Sequence, residues 1–511
     1  MADDVSIIIP AMNEMASIDA VIREAERLAP LEIIVVVNGS SDGTADFCRS
    51  ANCKVYEFTD ALGNDVGRSV GAHYARGDIL LFLDADIPVT CQELIRFVSA
   101  IRSGGDIALN NMSGTLPLSA IPHYTTIAKF AFNQMLQRPA LSVNSLLAIP
   151  HAMSKKAAET IGFDNLSNPC LAHAIAVTRK LRIVCPAAID VIGSNKIRAA
   201  HSIPSPYSVF PQSTNRIIGD HLEALSETIL RLGPRGGFAE GIRNREIMRY
   251  YVPPKSAGKA RRSAVIPVKE ESNTIQQVIR SVRAAQVDEI IVVANGADET
   301  TIRMAMETGA RVMVFNLPLG HNVGRAIGAA CSTGDVCLFV DGDFVVPPED
   351  LLPYIEAVEN GIEVALNDLQ SLFYRFIPVD PISAVKYFLN ICLNQSGLLN
   401  NSLTAVPHAL SRKALNIIGF EKLVIPPLAQ AKAILSGLSL KPVHAVDVVT
   451  PNRIRKDHIH VNGRIPAFDR IIGDHLEAVD YLLRMKGTRG GFYDTSRNHQ
   501  VMTTLERKRF H

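Results

Sequence analysis

The 511-residue chain contains no tryptophan and only 6% aromatic residues, so it lacks the broad indole platforms on which polysaccharides stack. It also lacks a charge excess, with 52 lysines and arginines against 51 aspartates and glutamates. That balance provides no global field for nucleic acid or an anionic membrane, so an anionic ligand must be held by local groups. Hydrophobic residues reach 47%, yet no uninterrupted apolar stretch attains the roughly 18 to 20 residues that span a bilayer, so no transmembrane segment is expected. The start, Met1-Ala2-Asp3-Asp4, is acidic, and the apolar run at residues 5–9 is shorter than a secretory core of about 7 to 15 residues. A cytoplasmic protein is the expectation. The eight cysteines include no Cys-x-x-Cys pair, which argues for reduced thiols packed as small hydrophobes rather than a zinc or disulfide framework.

What the chain does have is an internal duplication. Ile9-Pro10 returns as Ile266-Pro267, Val66-Gly67-Arg68 as Val323-Gly324-Arg325, Asp84-Ala85-Asp86 as Asp341-Gly342-Asp343, and Pro150-His151-Ala152 as Pro407-His408-Ala409, each 257 positions on. After His201, matched by His458, the offset falls to 254: Arg216-Ile217-Ile218-Gly219-Asp220-His221 pairs with Arg470-Ile471-Ile472-Gly473-Asp474-His475, and Arg235-Gly236-Gly237-Phe238 with Arg489-Gly490-Gly491-Phe492. Repeats of this size are whole domains in tandem rather than solenoid units. The expected division is residues 1–250 and 263–511, with 251–262 as a Pro- and Gly-containing linker.

Within each copy, short runs rich in Ile, Val and Leu (residues 6–9, 33–37 and 79–83, then 264–266, 290–293 and 336–340) alternate with segments of helical spacing such as 17–29 and 44–52. This predicts an α/β fold with a mostly parallel, doubly wound sheet in each domain. Ligands of such sheets sit beyond the carboxyl ends of the strands. Three loops leave those ends: residues 10–14, 38–44 and 84–86. In the last, carboxylates at i and i+2 of an extended chain point to one side, which suits a divalent cation gripped together with a diphosphate. Two such charges 4 Å apart interact by roughly 4 kcal/mol at an effective dielectric of 20, which favours a cation between them over decoration.

The order Ile-Pro-x-x-Asn-Glu (Ile9 to Glu14), Asn-Gly-Ser-Ser-Asp-Gly-Thr (Asn38 to Thr44), Gly67-Arg68 with Ala75-Arg76-Gly77-Asp78, then Asp84-x-Asp86 resembles family 2 glycosyltransferases of the Rossmann-like GT-A fold. The likeness covers roughly the first 110 residues of each copy. It implies a UDP- or GDP-sugar donor, an acceptor, and Mn²⁺ or Mg²⁺ held by the second aspartate, with the first nearer the ribose or sugar. Carried over by position, Pro10, Asn13, Glu14 and Asn38 line the base and ribose pocket, Gly67 and Gly71 permit close backbone approach, and Arg68 faces the nucleotide or its phosphates. Their counterparts are Pro267, Glu270, Glu271, Asn295 and Arg325.

Departures from the family pattern fall in both copies: the aspartate that often precedes the Asn-Gly-Ser turn is Val37 in the first and Ala294 in the second, and copy two also replaces Met12-Asn13 by Lys269-Glu270 and weakens the turn to Asn295-Gly296-Ala297-Asp298-Glu299-Thr300. The first domain is therefore expected to be the better donor binder. Inverting members use a carboxylate in a Glu-Asp pair after a Gly-Phe-Asp segment as acceptor base, a group worth roughly 10² to 10⁴ in rate. Here Gly162-Phe163-Asp164 is followed by Pro169-Cys170-Leu171, and copy two reads Glu421 and then Pro426-Pro427-Leu428. Either Asp164 or a neighbour such as His173 serves as base, or configuration is retained without one. The second half of each copy has some likeness to retaining glucosyl- and mannosyl-phosphoglycerate synthases. That likeness implies Asp190 with His201, and Asp447 with His458, at the metal site. His221 and His475 are further metal candidates, and His151 and His408 are candidates for sugar or acceptor contact.

The expected activity is metal-dependent sugar transfer, with Asp84, Asp86 and Asp164 and their partners Asp341 and Asp343 as catalytic groups. Two alternatives stay open: one or both copies are silent binding or scaffold modules, or the chain is a nucleotidyltransferase. The second needs a glycine-rich basic loop after the first strand, which Pro10-Ala11-Met12-Asn13-Glu14 does not supply. Self-association into a homo-oligomer also stays open.

Overall fold

A computed structural model of the chain describes residues 2–116, 120–193, 196, 198–254, 258–375, 379–448, 450, 464–494, 496–498 and 501. It divides into two compact units. Unit 1 comprises Met1–Pro117, Pro122–Arg231 and Lys486–His511, and unit 2 comprises Leu118–Ile121 and Leu232–Met485.

In unit 1 the strands are β1 (Ala2–Ala11), β2 (Pro30–Asn38), β3 (Lys54–Phe58), β4 (Ile79–Phe82), β5 (Ile107–Asn110), β6 (His151–Ser154) and β7 (Ile183–Ala187). They form one sheet in the order β3-β2-β1-β4-β6-β5-β7. β1 pairs in parallel with both β2 and β4, Ile7 standing opposite Ile33 and Leu81, while β6 runs antiparallel to β4 and β5. Both faces are covered, as the unbroken apolar runs predict. Ile7, Ile9, Val35 and Leu81 pack on one side against Phe97, Val98 and Ile101. Ile8, Ile34, Val36 and Leu80 point to the other, against Val66 and Val70. The helix Ile18–Glu26 buries Ile18, Val21, Ile22 and Ala25, a stripe at i, i+3, i+4 and i+7. Thr90 and Glu93 form a capping box that starts the helix Cys91–Arg102 just beyond β4.

Unit 2 repeats the plan with β8 (Arg262–Val268), β9 (Glu289–Asn295), β10 (Arg311–Phe315), β11 (Val336–Phe339), β12 (Val364–Asn367), β13 (His408–Ser411) and β14 (Leu440–His444), in the order β10-β9-β8-β11-β13-β12-β14. The α/β, mostly parallel architecture expected from the sequence is thus present twice. No described helix is long and apolar enough to cross a membrane, and all eight cysteines are free thiols.

The sequence repeats and the compact units are cut differently. Residues 232–250, which close the first repeat, fold into unit 2, and the described residues from 486 onward, which close the second, fold into unit 1. Buried charge explains each placement. In unit 1 the fully buried Asp220 accepts a bidentate pair from Arg497 at 2.7 and 2.8 Å and a third bond from Arg489 at 2.9 Å. In unit 2 Asp474 accepts from Arg243 at 2.9 and 2.8 Å and from Arg235 at 2.5 Å. A carboxylate so deep in a fold persists only with such partners. At Gly63, whose φ is +86°, a Cβ would lie 2.1 Å from the carbonyl oxygen of Ser496, so only glycine admits the closing segment there.

Candidate functional site

The carboxyl ends of β1, β2 and β4 bring three loops of unit 1 together. Asn13, at φ 55°, accepts from Ser41 N at 2.8 Å and its own N–H donates to Ser40 Oγ at 3.0 Å, while Glu14 N donates to Thr44 Oγ1 at 3.0 Å. These bonds lock loop 10–14 to loop 38–44 and turn Glu14 inward. The Asn38 side chain is engaged locally: its amide donates to Gly63 O at 3.1 Å and its oxygen accepts from Leu62 N. Asn38 therefore shapes the pocket through the loop at 62–65. Gly67 lets the helix Val66–Tyr74 lie on the sheet, since a Cβ there would come within 2.8 Å of Pro10 Cβ. Arg68 on the same helix is buried, with Nη1 2.9 Å from Asp65 and Nη2 donating to Asp84 Oδ1 at 3.2 Å. It thus orients the first aspartate of the pair.

Asp86 follows at the mouth of the crevice with its carboxylate only 4% exposed. Burial, reinforced by the charges of Asp84 and Glu14, lifts it above the ordinary carboxylate range, although Arg198 and Lys196 pull the other way. One nitrogen of Arg198 bridges the two deepest acids, donating to Asp86 Oδ2 at 2.7 Å and Glu14 Oε1 at 2.9 Å, and Lys196 Nζ donates to the other Glu14 oxygen at 2.6 Å. Two carboxylates converging on one cation at a strand end make a hard-oxygen donor set, which suits a divalent ion. The side chain that reaches Asp86 is Arg198, not the expected His201. His201 is exposed, and its Nδ1 accepts from Arg198 N at 3.2 Å in the turn Ala199–His201. Asp190 caps its own turn through Ile192 N and Gly193 N, both at 3.1 Å. Among the described residues no three His, Cys, Asp or Glu side chains are grouped to hold a metal alone.

Unit 2 keeps part of this frame. Arg325 donates to Asp341 Oδ1 at 2.7 Å, Asp343 is buried, and Asn295 ties Gly320 O and Leu319 N at 2.9 and 2.5 Å. Glu271 accepts from the backbone of Lys269 and, at 2.7 Å, of Glu270, on the loop that follows Pro267. Asn322 stands where unit 1 has Asp65. Asp447 accepts from Thr450 N at 3.1 Å, whereas His458 and the partners of Lys196 and Arg198, Arg453 and Arg455, lie outside the described residues.

The sequence pattern of glycosyl transferase family 2 matches residues 6–155 and 263–370, together just over half the chain. The chain belongs to that family. Among curated relatives, a glycosyltransferase AglE of Haloferax volcanii is 34% identical over 22% of this chain and 40% of its own length. A glucosyl-3-phosphoglycerate synthase of Mycobacterium tuberculosis is 26% identical over 38% of this chain and 60% of its own length. This chain therefore spans less than two thirds of either relative. A crystal structure of the M. tuberculosis synthase with UDP shares 17% identity across 42% of this chain and 79% of that one, at a TM-score of 0.33.

In this family 2 chain the remaining candidates are placed as follows. His151 begins β6, stacks on Phe82 with ring centroids 4.8 Å apart, and bonds through Nδ1 to Ala148 O at 3.0 Å. It lines a small cavity with Arg68, Leu166 and Pro169, which His408 repeats beside Arg325, Leu423 and Pro426. Both rings are 3% exposed, so they face the interior rather than an open acceptor groove. Asp164 is the second residue of the 3-10 turn Phe163–Ser167, tied to the Arg68 helix by Ser69 Oγ donating to Phe163 O at 2.6 Å; Glu421 is the second residue of the matching turn Phe420–Val424. His173 is sealed in the core, bonded to Asn133 Oδ1 at 3.0 Å, and is excluded as an acceptor base. His221 and His475 bond back to Ile217 O and Ile471 O, each at 2.7 Å, inside their helices, so neither reaches the Asp-x-Asp loops as a ligand.

Burial pushes His151, His173 and His408 down to about 3 and His221 and His475 to about 4, from an ordinary 6.5. Each is neutral when folded and gains a proton on unfolding in the window between those values. Their contribution is complete above pH 6.5 and is lost as pH falls toward about 4 for His221 and His475 and about 3 for the other three, each histidine adding a slope of up to ~1.4 kcal/mol per pH unit. Urea midpoints followed by circular dichroism should fall clearly between pH 7 and pH 5. A flat profile over that range contradicts the neutral, buried assignment.

Lys196 and Arg198 escape a reading that looks for acids and histidines. A signal existed, because Asn195-Lys196-Ile197-Arg198 returns as Asn452-Arg453-Ile454-Arg455.

Proposed function

We propose that unit 1 is a metal-dependent glycosyltransferase that moves a sugar from a UDP- or GDP-sugar to an acceptor, with unit 2 the weaker or silent partner. The observation that carries this is the convergence of Glu14 and Asp86 on one cationic nitrogen beyond β1 and β4, within a family 2 frame. Asp86, with Glu14 beside it, would hold Mn²⁺ or Mg²⁺, the remaining coordination coming from the donor's phosphate oxygens. The bound ion would supply Lewis-acid stabilisation of the departing diphosphate. Asp84, set by Arg68, orients the ribose or sugar, and the half-exposed Lys196 and Arg198 offer positive charge to the diphosphate. In unit 2, Glu270 in place of Asn13 and Asn322 in place of Asp65 favour the reading that its site binds weakly or not at all.

Calorimetric titration of UDP, GDP, CDP and ADP, each with Mn²⁺ and with chelator, tests this. One nucleotide should bind, and removing Mn²⁺ should weaken it at least about tenfold, or ~1.4 kcal/mol. Absence of binding by all four in both conditions refutes the donor site. The anomeric proton of the product, followed by NMR with the matching sugar donor, then reads retention or inversion directly.

A further inference from the structure

Unit 1 contains a continuous line of charged groups leading away from its Asp-x-Asp loop. Asp84 is held by Arg68 at 3.2 Å, and the other arm of Arg68 lies 2.9 Å from Asp65. Asp65 also accepts from Arg216 at 3.0 Å and from Arg497 at 3.2 Å, and Arg497 then forms its bidentate pair with Asp220. The Arg497 side chain is 1% exposed. Its Nε donates to Asn64 O at 3.1 Å and the next residue, Asn498, donates through its backbone to Leu62 O at 2.8 Å. Leu62 and Gly63 are the partners of Asn38. Arg497 thus touches both supports of the crevice: the ion-pair line that sets Asp84, and the loop that Asn38 organises.

We propose that Arg497 is a positioning residue for the donor site of unit 1, acting through Asp65 on Arg68 and Asp84. The proposal rests on the donor-site reading above. Without Arg497, Asp65 keeps Arg68 and Arg216 alone, and the loop at 62–65 loses its backing. Both changes loosen groups that must be fixed before the donor arrives, and a small misplacement of such groups is felt strongly in binding and rate. Unit 2 supplies an internal contrast. Arg243 pairs with Asp474 as Arg497 does with Asp220, but Asn322 replaces Asp65 and carries no charge to link it to Arg325.

The test uses the full chain and UDP, GDP, CDP and ADP with Mn²⁺ as probes, with affinity by calorimetry and melting temperature by circular dichroism. Arg497→Ala and Asp65→Asn should each weaken the nucleotide that binds the parent protein about tenfold or more, and the double variant no further than either alone. Arg497→Lys should recover part of the loss. Arg489→Ala removes another partner of Asp220 and a bond to the Arg216 main-chain carbonyl at 3.1 Å but no contact to Asp65 and no side-chain charge on it, so it should lower the melting temperature and leave affinity within about twofold. Unchanged affinity in Arg497→Ala, additive losses in the double variant, or an equal affinity loss in Arg489→Ala overturns the proposal, the last by reducing Arg497 to a structural role. If Arg497→Ala does not fold, Asp65→Asn against Arg489→Ala decides, since the second repeat already carries asparagine at that position. If none of the four nucleotides binds the parent chain, the donor-site reading itself fails, which is a distinct result.

Discussion

Replacing Asp86 by alanine is expected to reduce donor turnover by about 10² to 10³ while leaving the melting temperature unchanged or raised. The two effects separate because of where the carboxylate sits. Its oxygens are nearly inaccessible, and burial beside Asp84 and Glu14 makes its charge costly to the folded state even with Arg198 alongside. A group kept charged at that cost contributes to ligand binding rather than to the fold. The assay is release of nucleotide from the sugar donor whose nucleotide binds, with excess Mn²⁺, run beside a thermal melt. Turnover within about twofold of the parent chain would falsify the assignment of Asp86 to the cation. Asp343→Ala, the same change in unit 2, should cost far less.

Asp220→Ala should instead act on stability, by ~3 to 5 kcal/mol. The substitution strips Arg497 and Arg489 of the carboxylate they share and leaves two guanidinium groups in an interior with too little opposite charge. Glu223 remains beside Arg489, and Asp65 and Asp494 remain beside Arg497, which limits the loss. Urea unfolding monitored by circular dichroism should show the transition of unit 1 moved to lower denaturant. A shift worth less than ~1 kcal/mol would mean that Asp220 is not the anchor of the closing segment. Asp474→Ala should do the same in unit 2 through Arg243 and Arg235.

Where hydrophobic periodicity decides, the sequence was readable. The apolar runs at residues 6–9, 33–37 and 79–83 lie on β1, β2 and β4 or run one residue past the end, and the helical stripe at 17–29 became Ile18–Glu26. The position of Asp84 and Asp86 followed from the end of an apolar strand. Side-chain direction was less legible. Asn38 was expected in the ligand pocket but satisfies Leu62 and Gly63, and His151 at the head of β6 turns onto Phe82. Both outcomes depend on what a residue meets across the fold, and local spacing says nothing of that. The repeat also suggested a division at the 251–262 linker, whereas Asp220 and Asp474 recruit arginines that lie beyond the reach of any local pattern. The repeated Arg-Gly-Gly-Phe marked those segments as significant but not where they dock.

The placement of Arg489 and Arg497 has a consequence for biosynthesis. They follow Asp220 by 269 and 277 positions. At about 5 to 20 residues per second, roughly 15 to 55 seconds of translation separate the aspartate from its counter-charges. During that interval the first sheet can pair its strands while Asp220 lacks both of its arginines and Asp65 lacks one, so completion of unit 1 waits on translation of the second repeat. Unit 2 differs, because the segment that supplies Arg235 and Arg243 to Asp474 precedes its sheet in the chain.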